Sequence, residues 1–295
     1  MAHSGWNMYN SLFQRRYQSN PEEVWFLEDF PGLRAERCSF LSDHGQKLIG
    51  YWYTRADQAI RGVLVLAHGL CGGHRNYLDV CNAFTENGYI VFSYDATANG
   101  ESEGDAVGGF PQGVADLDHA LRYVKAQDRS RDLPIVLFGH SWGGYSVGAA
   151  LNFHPDVRAV VSVAGFDTPA VMMAESAREQ LGHLADVIAP LVALYERKKW
   201  GRYASASALK GFGKSKAQVM VIHSDDDETV HINCGYERYH AAFFKDKRFR
   251  FVKLSGRGHN FPLHVDGVRG PLDPALMRNI IDFTLDAMGR QDDAV

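Results

Sequence analysis

Gly139-His140-Ser141-Trp142-Gly143 constrains this chain more than any other stretch, because of what flanks it. The run Leu133-Pro134-Ile135-Val136-Leu137-Phe138 reads as a buried strand, and Trp142 through Leu151, rich in glycine and alanine, reads as a helix. A residue at such a junction must sit on a very tight turn, usually at positive φ. Its neighbours two before and two after must be nearly free of side chain. Gly-x-Ser-x-Gly meets that demand. It is the pattern of a nucleophile elbow, which lifts the hydroxyl above a parallel sheet and sets a helix N-terminus behind it to favour developing negative charge. The competing structural reading of Ser141 is a helix N-cap.

The flanking chain fits a sheet of that kind. Residues 1–35 are polar and aromatic, with Trp6, Tyr9, Phe13, Tyr17, Trp25 and Phe26, and are expected to form a helical and extended arm packed on the domain. Arg37–Leu41 and Gln46–Thr54, around Asp43-His44-Gly45, read as an antiparallel hairpin. Gly62–Ala67 is continuously apolar, the mark of a strand buried on both faces. A helix at 76–87, a strand at Tyr89–Tyr94 and a helix at 111–127 follow, the last with Val114, Leu117, Leu121 and Val124 on one face. Val157–Val163 is another buried strand. From 168 to 212 the alternation gives way to helix alone, with a stripe at Leu181, Leu184, Ile188, Leu191 and Tyr195, bent or split at Pro190. Strand and helix then resume at Ala217–His223, 231–244, Phe249–Leu254 and Pro274–Met288.

A hairpin followed by repeated β–α units predicts an α/β fold, a mostly parallel, doubly wound sheet of about eight strands. Residues 36–167 and 213–295 would form its core, and 168–212 a small helical cap over the strand ends, or else a surface excursion. At 295 residues the chain is long enough to bury such a core. Its net charge of −4 gives no reason to expect nucleic acid or an anionic membrane as partner. Cys38, Cys71, Cys81 and Cys234 show no ligand spacing and read as thiols of a reducing compartment. Without a signal-like start or an apolar run approaching 18 residues, the expectation is a soluble, cytoplasmic protein.

If Ser141 is a nucleophile, it needs a base, a carboxylate to orient that base, and donors for an oxyanion. Behind an elbow of this type the acid and then the base follow in the chain. The acid should lie just past a strand end, where His223-Ser224-Asp225-Asp226-Asp227-Glu228 supplies three aspartates. The base belongs in a loop after the next strand, and His259 in Gly256-Arg257-Gly258-His259-Asn260 has that placement.

From the hairpin to the C-terminus the chain resembles the α/β-hydrolase superfamily, specifically its serine esterase, lipase and acyl-aminopeptidase-like group with a short helical cap. His68-Gly69 matches the oxyanion loop of that group. Tyr94–Ser102 is similar to its Asp-x-Arg-Gly-x-Gly-x-Ser turn, with Thr97 and Ala98 in place of Arg-Gly. His223-Ser224-x-x-Asp227-x-x-Val230 resembles the acid loop, and Gly258-His259 the base motif. The resemblance selects Asp227 as the acid, while Ser224 in place of glycine keeps Asp225 and Asp226 as alternatives. It implies two-step acyl transfer by Ser141, His259 and Asp227, with the oxyanion held by the backbone N–H groups of Leu70 and Trp142, and with no cofactor.

The implied substrate is a small-molecule carboxylic ester with a small to medium acyl group. An amide or peptide hydrolase of the acyl-aminopeptidase type shares the same machinery. A silent hydrolase fold serving as a binding scaffold is the reading from another class. Serine at the nucleophile position disfavours a dehalogenase. His223, Asp225, Asp226, Asp227 and His231 could instead assemble metal ligands, but they lack a metal-binding spacing, and no metal is expected. His68 should be structural, under the oxyanion loop. His140 and Trp142 either line the pocket or pack beside the elbow. Cys71 is either reactive or an inert thiol. Met172, Met173 and Trp200 either form an acyl pocket or hold the cap to the core.

Overall fold

In the computed structural model, which describes residues 9–289 apart from 57, 182–184 and 268, and no side chains over 176–189, eight strands form one sheet. The strands are β1 (Leu33–Leu41), β2 (Lys47–Arg55), β3 (Gly62–Ala67), β4 (Tyr89–Tyr94), β5 (Ile135–His140), β6 (Ala159–Val163), β7 (Gln218–Ser224) and β8 (Phe249–Leu254). Their order is β1-β2-β4-β3-β5-β6-β7-β8. Pairing is antiparallel on both sides of β2 and parallel from β4 to β8.

Period-2 alternation explains why the central strands are apolar throughout. Val63 and Val65 of β3 enter one hydrophobic cluster, while Leu64 and Leu66 enter the other on the opposite face. Helices cover both faces. Against the first pack α2 (Pro111–Lys125) and α3 (Trp142–Ala150), and Val114, Leu117, Leu121 and Val124 are all fully buried there. The second face carries α1 (Leu78–Thr85) and α8 (Pro274–Gly289).

The expected elements are present, with three differences. First, β1 begins at Leu33 rather than Arg37: Leu33 is buried opposite Arg55, but the polar run Arg34-Ala35-Glu36-Arg37 hides the strand start. Second, the segment after β6 does not break at Pro190. It forms α4 (Pro169–Leu181), α5 (Ala185–Trp200) and α6 (Ala208–Lys214), and α5 continues as one helix past Pro190. Pro190 is exposed, and its missing N–H costs the helix one backbone hydrogen bond. Third, the helices expected at 76–87 and 231–244 are both shorter, each a 3-10 turn, at His74–Tyr77 and Ile232–Cys234, followed by an α-helix, α1 and α7 (Tyr236–Phe243). Of the apolar stripe, the side chains of Leu181, Leu184 and Ile188 lie outside the described residues; Leu191 is exposed and Tyr195 packs against the first cluster.

The segment between β6 and β7 leaves and returns at one point. Asp167 accepts hydrogen bonds from Ser207 Oγ (2.6 Å) and Leu209 N–H (3.0 Å), and its carbonyl accepts the Ala208 N–H (3.0 Å). α6 therefore packs on α3, with Ala208 and Phe212 fully buried, rather than on the outer helices. Trp200 closes the far end of α5 by donating from Nε1 to Gln112 Oε1 of α2 (2.9 Å). Residues 9–13 form a helical turn whose Tyr9 and Phe13 are fully buried. Trp6 lies outside the described residues. No described helix is long and apolar enough to cross a membrane.

Candidate active site

Ser141 stands between β5 and α3 at φ 56° and ψ −116°, a strained conformation for a residue with a Cβ. Close approach of backbone demands the two flanking glycines. A Cβ on Gly139 would come within 2.2 Å of the Gly143 carbonyl oxygen, and one on Gly143 within 2.0 Å of the Ala67 carbonyl oxygen. The Ser141 N–H is held by Val163 O (2.8 Å), which ties the turn to β6. The side chain makes no capping bond to α3. Its Oγ lies instead 2.9 Å from His259 Nε2.

His259 Nδ1 is 2.7 Å from Asp227 Oδ2, so the carboxylate fixes the tautomer: Nδ1 carries the proton and Nε2 accepts from the serine. Asp227 follows β7 and is itself held from two sides. Its Oδ1 accepts the N–H groups of Thr229 (2.9 Å) and Val230 (2.8 Å), and Oδ2 also meets His223 Nε2 at 3.2 Å. His223, fully buried, shares that Nε2–H with Val230 O (2.8 Å).

The two neighbouring aspartates go elsewhere. Asp225 accepts from Ser255 Oγ (2.7 Å), and Asp226 Oδ1 accepts the N–H groups of Arg257 (3.2 Å) and Gly258 (3.0 Å). Ser224 Oγ accepts the Arg257 N–H as well (3.1 Å), so four side chains of the 223–231 stretch, Ser224, Asp225, Asp226 and Asp227, serve the loop that carries His259.

The turn after β3 faces Ser141. His68 is buried beneath it; Nε2 accepts the Ala96 N–H (2.9 Å), so Nδ1 donates to Gly69 O (2.7 Å). Burial lowers the pKa of this imidazole, consistent with a neutral structural role. Asp95 braces the same turn through the N–H groups of His74 (2.8 Å) and Glu101 (2.9 Å). Leu70 and Trp142 both line the cavity at Ser141, and neither backbone N–H has an acceptor among the described residues.

The family model described as serine aminopeptidase, S33, matches residues 58–208, just over half of the 295-residue chain. The chain belongs to that family. Caffeoylshikimate esterase of Arabidopsis thaliana is 27% identical over 168 residues, 56% of this chain and 49% of that protein, so the match spans about half its length. Monoacylglycerol lipase of Mycolicibacterium smegmatis is 27% identical over 228 residues, 65% of this chain and 79% of that protein. Among solved structures, an esterase of Pyrococcus furiosus superposes with TM-score 0.68 at 16% identity, covering 93% of this chain and all of that one. Est1E of Butyrivibrio proteoclasticus, with ferulic acid bound, does so with TM-score 0.63 at 18% identity over 86% of this chain and 100% of its own. These structures share the α/β-hydrolase fold.

In this family member the serine opens onto a cavity of about 430 Å³. Its walls come from distant parts of the chain: Leu12 from the arm, Phe110 before α2, Phe166 and Met172 after β6, and Phe261 and Leu263 beyond His259. Met172 faces the cavity, whereas Met173 and Trp200 are buried in the core cluster. Trp142 does both things expected of it, lining the cavity and donating from Nε1 to Phe110 O (2.8 Å). Cys71 stands at the rim with φ 69°, exposed as a residue, while the surrounding chain partly desolvates its thiol and pushes the pKa up rather than down, which argues against a reactive thiolate. Sequence reasoning missed the hold of Asp226 on the 257–258 backbone and the bracing role of His223, both in a stretch that drew attention for another reason.

Proposed function

We propose that this protein is a serine hydrolase that cleaves carboxylic esters of small to medium acyl groups through an acyl-enzyme. The observation that carries this reading is the unbroken line Ser141 Oγ–His259–Asp227, at 2.9 and 2.7 Å, opening onto a largely apolar cavity. His259 Nε2 takes the hydroxyl proton as Ser141 attacks the acyl carbonyl. The imidazolium, whose charge Asp227 offsets, then protonates the leaving alcohol. The N–H groups of Leu70 and Trp142 receive the oxyanion, and loss of one such donor costs about 3 kcal/mol of transition-state stabilisation. A water activated by the same imidazole releases the acid.

Residues 168–212 act as the cap in this reading, contributing Met172 to the acyl wall, while residues 9–35 form an arm that contributes Leu12. The four free thiols fit a cytoplasmic enzyme. The names of the two relatives, an esterase and a lipase, support ester substrates. Amide cleavage is the second reading, favoured by the family's description and by the presence of an acidic residue, Glu23, in the cavity wall.

A panel of nitrophenyl esters and amino-acid anilides separates the two, run on wild type and Ser141→Ala. The expected outcome is faster turnover of esters and loss of turnover in the variant to the uncatalysed background. Faster cleavage of anilides makes the enzyme an amidase; turnover surviving in Ser141→Ala removes the nucleophile assignment altogether.

A further inference from the structure

The base loop, residues 255–260, is poorly built to hold an imidazole in place by itself. Gly256 and Gly258 both stand at positive φ with open space around them, and the segment packs little apolar surface. Asp226 holds it on one side, through the N–H groups of Arg257 and Gly258. The other side is held by the residue directly before the nucleophile. His140 Nε2 lies 2.8 Å from the backbone carbonyl of His259 itself.

A carbonyl only accepts, so Nε2 of His140 must carry the ring proton, and Nδ1 is left as an acceptor. Tyr77 Oη lies 2.8 Å from that Nδ1 and donates to it. The same phenol oxygen accepts the N–H of Gly69, at 3.1 Å, in the turn that ends at Leu70. Every proton has one consistent place: Gly69 N–H to Tyr77 Oη, Tyr77 O–H to His140 Nδ1, His140 Nε2–H to His259 O. Burial, and next the nearby His259, push the His140 imidazole down to about 3, so the ring stays neutral as this arrangement requires.

We infer that Tyr77 and His140 form a neutral hydrogen-bond relay that sets the oxyanion turn and the base loop in register across the elbow. They are positioning residues: neither reaches the reacting atoms, yet together they tie the donor turn to the segment bearing the base. The inference rests on the catalytic reading of Ser141 and His259 above. Its consequence is specific. Because the relay orders groups that matter in the transition state, its loss lowers kcat and leaves KM nearly unchanged.

Two measurements test it. In ¹⁵N-histidine-labelled wild-type protein, NMR should find His140 as the neutral Nε2–H tautomer, opposite to the Nδ1–H form of His259; an Nδ1–H His140 overturns the relay without any variant. Nitrophenyl butyrate kinetics then compare Tyr77→Phe, His140→Gln, His140→Phe and the double variant Tyr77→Phe/His140→Phe. Tyr77→Phe should lower kcat on the order of tenfold with KM within about twofold. His140→Gln, which keeps a donor toward His259 O, should retain more activity than His140→Phe. The losses of the two single variants should be less than additive in the double variant. Wild-type kcat in Tyr77→Phe, equal losses for Gln and Phe at position 140, or additive losses in the double variant overturn the relay. If Ser141→Ala still turns over, the catalytic reading fails instead.

Discussion

Asp227 and Glu196 are both buried carboxylates, 4% and 1% exposed, and their surroundings drive them apart. Burial raises the pKa of each. At Asp227, bonds from His223 and His259, the charge of His259 and the Val230 N–H outweigh burial and hold the carboxyl well below the usual range. Glu196, on α5, has among the described residues the Tyr9 hydroxyl (2.8 Å) and the Phe110 N–H (3.2 Å) as donors, and burial pushes it up to about 7. One acid stands where loops at the strand ends converge on it with donors. The other stands where the insertion meets the arm, against the rings of Tyr9 and Tyr195. What decides charge inside this protein is the number and kind of donors, not depth.

The largest way to break the comparison is Asp227→Asn. The amide cannot hold the His259 tautomer or offset the imidazolium, so kcat should fall on the order of 10⁴-fold with the fold intact. A loss below tenfold, measured on the preferred ester, would remove Asp227 from the acid role.

The second effect is on stability, and its sign differs between the two acids. A group depressed in the folded state, such as Asp227, adds stability above its unfolded value near 3.8 that is lost as pH falls below it. A raised carboxyl does the opposite. Between the ordinary value of 4.5 and about 7 the folded state binds the Glu196 proton and the unfolded chain does not, so stability declines as pH climbs through that window. The whole decline is on the order of 3 kcal/mol, from about 1.4 kcal/mol per pKa unit. Glu196→Gln removes the titration, so its melting temperature should exceed that of wild type by more at pH 8 than at pH 5. Parallel curves would show that Glu196 is ionised in the folded protein at both.

The same contrast marks what sequence could reveal. β3, β4 and β8 have the limits read from their apolar runs, and the elbow was legible because its demands are local, two glycines at fixed spacing around one serine. β1 began early because surface polarity conceals a strand whose inward residues are few. The acid was less legible: Asp225, Asp226 and Asp227 are chemically identical, and only the turn after β7 decides which one faces His259. Tyr77 was illegible, since its partner His140 is 63 residues away and no local pattern links them. Glu196 likewise reads as an exposed helix residue until Tyr9 is brought against it from 187 residues away.

The smallest effect sharpens the comparison within one run of three aspartates. Asp226 is exposed and remote from the serine, yet it holds the backbone of Arg257 and Gly258 just before the base. Asp226→Ala removes the acceptor of the Gly258 N–H, while Ser224 Oγ still accepts the Arg257 N–H (3.1 Å) and His140 still grips the carbonyl of His259, so the ring of His259 should stay near Ser141 but be less well ordered. Misplacement of a catalytic group by about an ångström costs up to a hundredfold, and with these other tethers intact kcat should fall on the order of tenfold. The Asp225 carboxylate meets Ser255 Oγ on the exposed turn, and its backbone bond to Leu254 O survives truncation, so Asp225→Ala should stay within about twofold of wild type. The three variants, assayed together on one ester, should therefore rank Asp227 far above Asp226 and Asp226 above Asp225. If Asp225→Ala costs as much as Asp226→Ala, the tether to residues 257–258 has no part in ordering the base, and general charge around the loop does that work instead.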